Sequence, residues 1–161
     1  MNTRSILVLV GFLLLSFSAA AIGGLFSPGE WYQQLNRPPL TPPGWLFGPA
    51  WTLLYTAMAV AAWLVWKSKP DAGTAKHQPL RTSALVLFFI QLALNALWSP
   101  VFFGAERPLP ALIIIVLLWI AVAATMRTNF RVHRVAGLLF VPYLAWITFA
   151  TYLNAGFLLL N

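Results

Sequence analysis

The chain has 161 residues, of which 60% are hydrophobic and only 8% are charged. A soluble domain usually carries about a quarter charged residues, so a water-facing globule is excluded. There is no cysteine, which excludes disulfides and thiolate metal sites. The net charge is +7, from ten Lys and Arg against three acids, but the basic residues sit between apolar runs. Membrane topology explains that pattern, and no basic patch with interleaved aromatics is left for a nucleic acid.

The charged residues delimit five uncharged runs, 5–29, 38–66, 82–105, 108–126 and 135–161. Each supplies roughly the 20 residues that a helix needs to cross about 30 Å of hydrocarbon. Transmembrane strands would be about half as long and would alternate polar with apolar, which these runs do not. The reading is an all-α integral membrane protein, a five-transmembrane-helix bundle forming one domain over 1–161. Its helices are expected at 5–26, 44–66, 81–104, 108–127 and 134–159, with a lid loop at 27–43.

The first run also resembles a signal peptide, with Arg4, an apolar stretch and then Ala19, Ala20 and Ala21. It continues through Ile22 and Leu25 to Phe26, which is long for a cleaved segment, so it is read as a span. Five spans put Arg4, Lys67, Lys69, Lys76, Arg81, Arg127, Arg131 and Arg134 on one side and only Arg37 and Arg107 on the other. Positively charged loops stay cytoplasmic, which predicts an internal N-terminus and an external C-terminus and lid.

The loop at 67–81, with Pro70, Gly73 and Pro79, is expected to be mobile. The segment from 27 to 44 contains Pro28, Pro38, Pro39, Pro42 and Pro43, which stiffen it and deny it a long helix. Trp31, Tyr32 and Leu35 suit one short amphipathic turn. Such a loop reads either as a lid over the bundle or as an interfacial segment resting on headgroups. Pro49, Pro100 and Pro142 interrupt the second, third and fifth spans, where a bundle or cavity must absorb the freed carbonyls.

Of the eight tryptophans, Trp63 and Trp66 beside Lys67, and Trp45 at the opposite mouth, fit interfacial belts. Trp51, Trp98 and Trp146 fit less well. At about 1.5 Å per residue, Trp51 lies on the order of 10 Å below the outer mouth, with Tyr55 one turn deeper. Trp98 lies at a similar depth, with Asn95 and then Gln91 on the same face. Trp146 is followed by Ala150, Leu153 and Asn154. Buried amides and indoles cost free energy unless paired, so they face inward. Each of Gln91, Asn95 and Asn154 reads alone as interhelical glue on carbonyls freed by proline. Together with the aromatics they read as a cavity for a flat, hydrophobic ligand.

Other chemistry has little support. His77 and His133 fall in separate cytoplasmic loops. The acids, Glu30, Asp71 and Glu106, all lie outside the spans. No ionisable group suits an ion-coupled pump, and no metal site, cofactor site or nucleophile–base pair is expected. Ala57 with Ala61, or Ala20 with Gly24, would give small-residue faces for a homodimer.

The segment Trp31-Tyr32, then Pro42-Pro43-Gly44-Trp45 and Pro49-Ala50-Trp51-Thr52-Leu53-Leu54-Tyr55, resembles the translocator protein family, also called tryptophan-rich sensory protein, TspO/MBR or peripheral benzodiazepine receptor. The resemblance continues through Gln91-Leu92-Ala93-Leu94-Asn95-Ala96-Leu97-Trp98-Ser99-Pro100-Val101-Phe102-Phe103-Gly104. It ends with Val141-Pro142-Tyr143-Leu144-Ala145-Trp146 and Phe149-Ala150-Thr151-Tyr152-Leu153-Asn154. It implies a five-helix bundle, often homodimeric, in a bacterial cell membrane. It also implies a pocket for porphyrins such as protoporphyrin IX and heme-related tetrapyrroles, and for benzodiazepine- and isoquinoline-type ligands. Carried over, the ligand-binding residues are Tyr32, Trp51, Tyr55, Asn95, Trp98, Trp146, Ala150 and Leu153.

The implied function is a receptor for sensing, sequestration or transport of such ligands. One alternative is an enzyme for light-dependent oxidative degradation of protoporphyrin IX, through Trp51 and Trp146. Another is a passive small-molecule transporter. Two departures stand out. Leu40 occupies a lid position where the family often has tryptophan, so the lid is expected to pack differently. Residues 155–161 lack the tyrosine and following basic residue of the animal members' cholesterol-recognition pattern, so that pattern is not invoked.

Overall fold

The computed structural model describes residues 2–26, 28–68 and 77–161. Ser27, at the start of the expected lid, lies outside these residues, as do Lys69, Pro70, Asp71, Gly73 and Lys76. The expected mobility of the loop at 67–81 therefore falls largely outside them. The side chain of His77 does too.

Five long helices are each apolar enough to cross a membrane, and among the described residues there is no strand. Helix α1 spans Thr3–Gly24; α2 is the short turn Glu30–Gln34; α3 spans Phe47–Lys67. They are followed by α4 over His77–Ser99, α5 over Pro108–Val132 and α6 over Arg134–Leu160. The expected helix at 108–127 is thus longer at its C-terminal end. Long-range contacts follow the ring α1–α3–α6–α5–α4 and back to α1.

Local chemistry sets the helix ends. Asn2 caps α1, its side chain accepting the Ser5 N–H at 3.0 Å. Proline at the first position of α5 removes an N–H that would have had no partner there. His133 caps α6 through Nδ1, 3.4 Å from the Ala136 N–H, so this histidine has a structural task. Pro49 corrects the expected interruption of the second span. It sits in the first turn of α3, where the missing N–H costs nothing. Pro100 does alter its helix. After Ser99 the chain widens into a π-helical turn, Pro100–Gly104, and the Ala105 N–H reaches back to the Pro100 carbonyl at 2.8 Å.

The tryptophans expected at the interface lie beside basic groups or stand exposed. Lys67 lies 5.0 Å over the Trp63 ring and Arg4 lies 5.9 Å over Trp66, while the Trp63 indole N–H is shared between the Ser5 carbonyl and hydroxyl. Trp45 is largely exposed. The small-residue faces are only partly covered within the chain. Ala61 is fully buried but Ala57 is half-buried, and of Ala20 and Gly24, which border a cavity, Gly24 is exposed.

An aromatic cavity under a latched lid

The cavity has a volume of about 910 Å³. It is enclosed by the halves of α1, α3, α4, α5 and α6 nearest the proline-rich segment, and that segment lies across its mouth. Tyr32, Trp51, Tyr55, Asn95, Trp98, Trp146, Ala150 and Leu153, the residues named from sequence, all line it. The spacing explains the convergence. Trp51 and Tyr55, four apart on α3, tilt against each other with centroids 5.4 Å apart. Trp146 on α6 meets Trp51 edge to face at 6.1 Å and 80°. Trp98 stacks on Phe102, four residues on, at 5.0 Å and 20°. Tyr32 on α2 closes the top against Phe103 and Phe157, at 5.3 and 5.1 Å.

The deep end is polar but self-satisfied. Tyr55 on α3 donates its hydroxyl to Asn95 Oδ1 on α4, and Asn95 Nδ2 donates to the Tyr143 hydroxyl on α6 at 2.7 Å. One amide therefore ties three helices together. Asn154 does similar work nearer the mouth. Its Oδ1 accepts the Trp98 indole N–H at 3.0 Å and its Nδ2 donates to the Pro108 carbonyl at 2.9 Å. Asn95 and Asn154 thus act as both glue and lining. Their partners are side chains and a helix-start carbonyl, not carbonyls freed by Pro100 or Pro142. Gln91 departs from the expected stripe. It is fully buried, does not line the cavity, and neither its Oε1 nor its Nε2 has a partner among the described residues.

The lid is fastened to α6. The Asn36 N–H donates to Asn161 Oδ1 at 2.9 Å, Asn36 Nδ2 donates to the Leu160 carbonyl at 3.2 Å, and Asn161 Nδ2 donates to the Asn36 carbonyl at 3.2 Å. The Tyr152 hydroxyl donates to the Pro39 carbonyl at 3.0 Å. Pro38 is buried on Gly156, where a Cβ would come within 2.6 Å of the proline ring. Leu40 turns the chain at φ 66° and stands 80% exposed. At the mouth, burial raises the Tyr32 phenol above its ordinary pKa and Arg37 partly offsets this. The phenol is therefore a neutral hydrogen-bond donor at physiological pH.

Sequence reasoning did not find Phe47, Phe102, Phe103 and Phe157 as lining residues, nor Tyr143 as the partner of Asn95. Phe102 follows Trp98 by four residues, a signal that was available. The role of Tyr143 depends on how α6 is rotated against α4, which spacing along one helix does not reveal.

Residues 11–160 match the model of the TspO/MBR family. The chain belongs to the TspO/MBR family. Among similar proteins is the tryptophan-rich sensory protein of Cereibacter sphaeroides, 43% identical over 93% of this chain and 89% of its own length. Another is the tryptophan-rich protein TspO of Archaeoglobus fulgidus, 40% identical over 98% and 99%. The human translocator protein is 39% identical over 90% and 85%. With five membrane-spanning helices, this TspO/MBR protein is a multi-pass integral membrane protein.

Proposed function

We propose that the protein is a membrane receptor that binds porphyrins, such as protoporphyrin IX and heme-related tetrapyrroles, and benzodiazepine- or isoquinoline-type molecules, for sensing, sequestration or transport. The observation that carries this reading is the aromatic cavity. Its volume of about 910 Å³ falls within the usual range of small-molecule sites, about 300–1,000 Å³. Its walls present indole and phenyl faces to a flat ligand, with few polar handles. In this reading residues 1–161 work as one domain, and the ligand-binding residues are those named above.

Protoporphyrin IX is expected to quench tryptophan fluorescence of the purified chain saturably. Trp51→Phe and Trp146→Phe should each weaken binding about two- to tenfold, the usual worth of an aromatic contact beyond its area. Unchanged titrations in both variants would sink the proposed site.

A second reading, light-dependent oxidative degradation of protoporphyrin IX, is favoured by the 6.1 Å contact between Trp51 and Trp146, two oxidisable indoles on the ligand's path. Illuminating the same complex tests it. Soret absorbance lost equally fast with and without protein rules it out.

We further propose that the N-terminus is cytoplasmic. The described basic residues Arg4, Lys67, Arg81, Arg127, Arg131 and Arg134 sit at the loop ends away from the lid, which supports this orientation. Labelling of single cysteines introduced into a chain that has none reads it out. We also propose a homodimer, with the Ala57 and Ala61 face or the Ala20 and Gly24 face as its contact. A solubilised particle with the mass of one chain would exclude it.

A further inference from the structure

Arg37 is the one charged side chain that lines the cavity among the described residues, and no acidic side chain lines it with Arg37. The residues on both sides of it are held against α6. Asn36 before it is bonded to Asn161 and Leu160, and Pro38 after it is buried on Gly156. Its guanidinium lies 5.7 Å over the Tyr32 ring. Stacking on a ring face leaves the in-plane N–H fork open, and that fork matches a carboxylate through two parallel hydrogen bonds. At the other end of the cavity Tyr55, Asn95 and Tyr143 are bonded to one another and offer no cation. A carboxylate placed there would be buried without a partner, a costly arrangement.

We infer that Arg37 is a specificity-determining residue that recognises a carboxylate on the ligand. The ligand class is then a flat aromatic molecule with a peripheral carboxylate, its rings against Trp51, Trp98 and Trp146 and its anionic edge at the mouth. This inference rests on the aromatic-ligand reading above and adds to it an orientation and a charge requirement.

The test compares protoporphyrin IX, which carries two carboxylates, with its dimethyl ester, which carries none. The full chain is titrated in neutral maltoside micelles, so that no lipid phosphate competes. In the unsubstituted protein the diacid is expected to bind more tightly than the diester. Arg37→Gln should weaken the diacid about fivefold, as for one partly exposed ion pair, and leave the diester unchanged. Arg37→Lys should retain part of the preference, because ammonium keeps the charge and loses the fork. The preference should also shrink as salt is raised. Arg37→Gln titrations that shift both porphyrins equally, or neither, overturn the inference and leave the aromatic-ligand reading standing. Absence of quenching by either porphyrin in the unsubstituted protein overturns both.

Discussion

Asn95→Leu is expected to lower the thermal midpoint of the solubilised protein clearly, although leucine has nearly the same volume. Asn95 is 6% exposed and joins the Tyr55 and Tyr143 hydroxyls. Leucine leaves both phenols inside the bundle without this partner. Orphaning a buried polar group costs about 1–3 kcal/mol in soluble proteins. Hydrogen bonds between membrane helices average closer to about 0.6 kcal/mol, because the unfolded chain also finds partners. For two orphaned groups the loss should therefore lie at about 1–4 kcal/mol. A triple variant, Tyr55→Phe and Tyr143→Phe with Asn95→Leu, should recover much of it, since no polar group is then stranded. Thermal denaturation followed by loss of soluble monodisperse protein measures both. An unchanged midpoint in Asn95→Leu would mean that the three-helix tie contributes nothing.

Gly156→Val should act on binding instead of stability. A Cβ at this position would sit 2.6 Å from Pro38 Cβ and 3.0 Å from Pro38 Cγ. A proline ring cannot swing aside as a flexible side chain does, so the backbone around Pro38 must lift from α6. Arg37, and through it the mouth, moves with that backbone. Affinity for protoporphyrin IX is expected to fall at least about tenfold, or roughly 1.4 kcal/mol, with helix content and thermal midpoint nearly unchanged. Gly11→Ala is the control, because a Cβ there meets nothing within 4 Å and Gly11 does not line the cavity. Hydrogen exchange should rise at residues 36–42 in Gly156→Val. Protection equal to that of the parent protein, together with unchanged affinity, would remove the proposed fastening.

The five spans were legible because charge in a membrane chain is confined to the ends of helices, so gaps between charged residues measure span lengths. The site was legible for the same reason combined with helical spacing. Trp51 with Tyr55 and Asn95 with Trp98 share faces that geometry along a single helix predicts. What was not legible depended on relations between helices. Tyr143 becomes the third member of the Asn95 network only through the rotation of α6 against α4. Gln91 continues the Asn95 face by spacing, yet is fully buried off the cavity. Of Ala57 and Ala61, a small-residue pair by spacing, only Ala61 is fully buried within the chain. Pro49 was misread because the same residue breaks a helix interior and suits a first turn, and only the true start of α3 distinguishes the two.

The fastening of the lid has a kinetic consequence. Its three Asn36 and Asn161 hydrogen bonds are exposed, and such bonds are each worth only about 0.5–1.5 kcal/mol net. The walls below are held by buried aromatic packing and by the Asn95 and Asn154 ties. The weak closure can therefore open while the five helices keep their arrangement. Changes deep in the walls, such as Trp51→Phe, should alter mainly how long a ligand resides. Changes that remove only these hydrogen bonds and leave Pro38 seated on Gly156, such as Asn161→Ala, should speed entry and escape together, so that exchange becomes faster with little change in affinity.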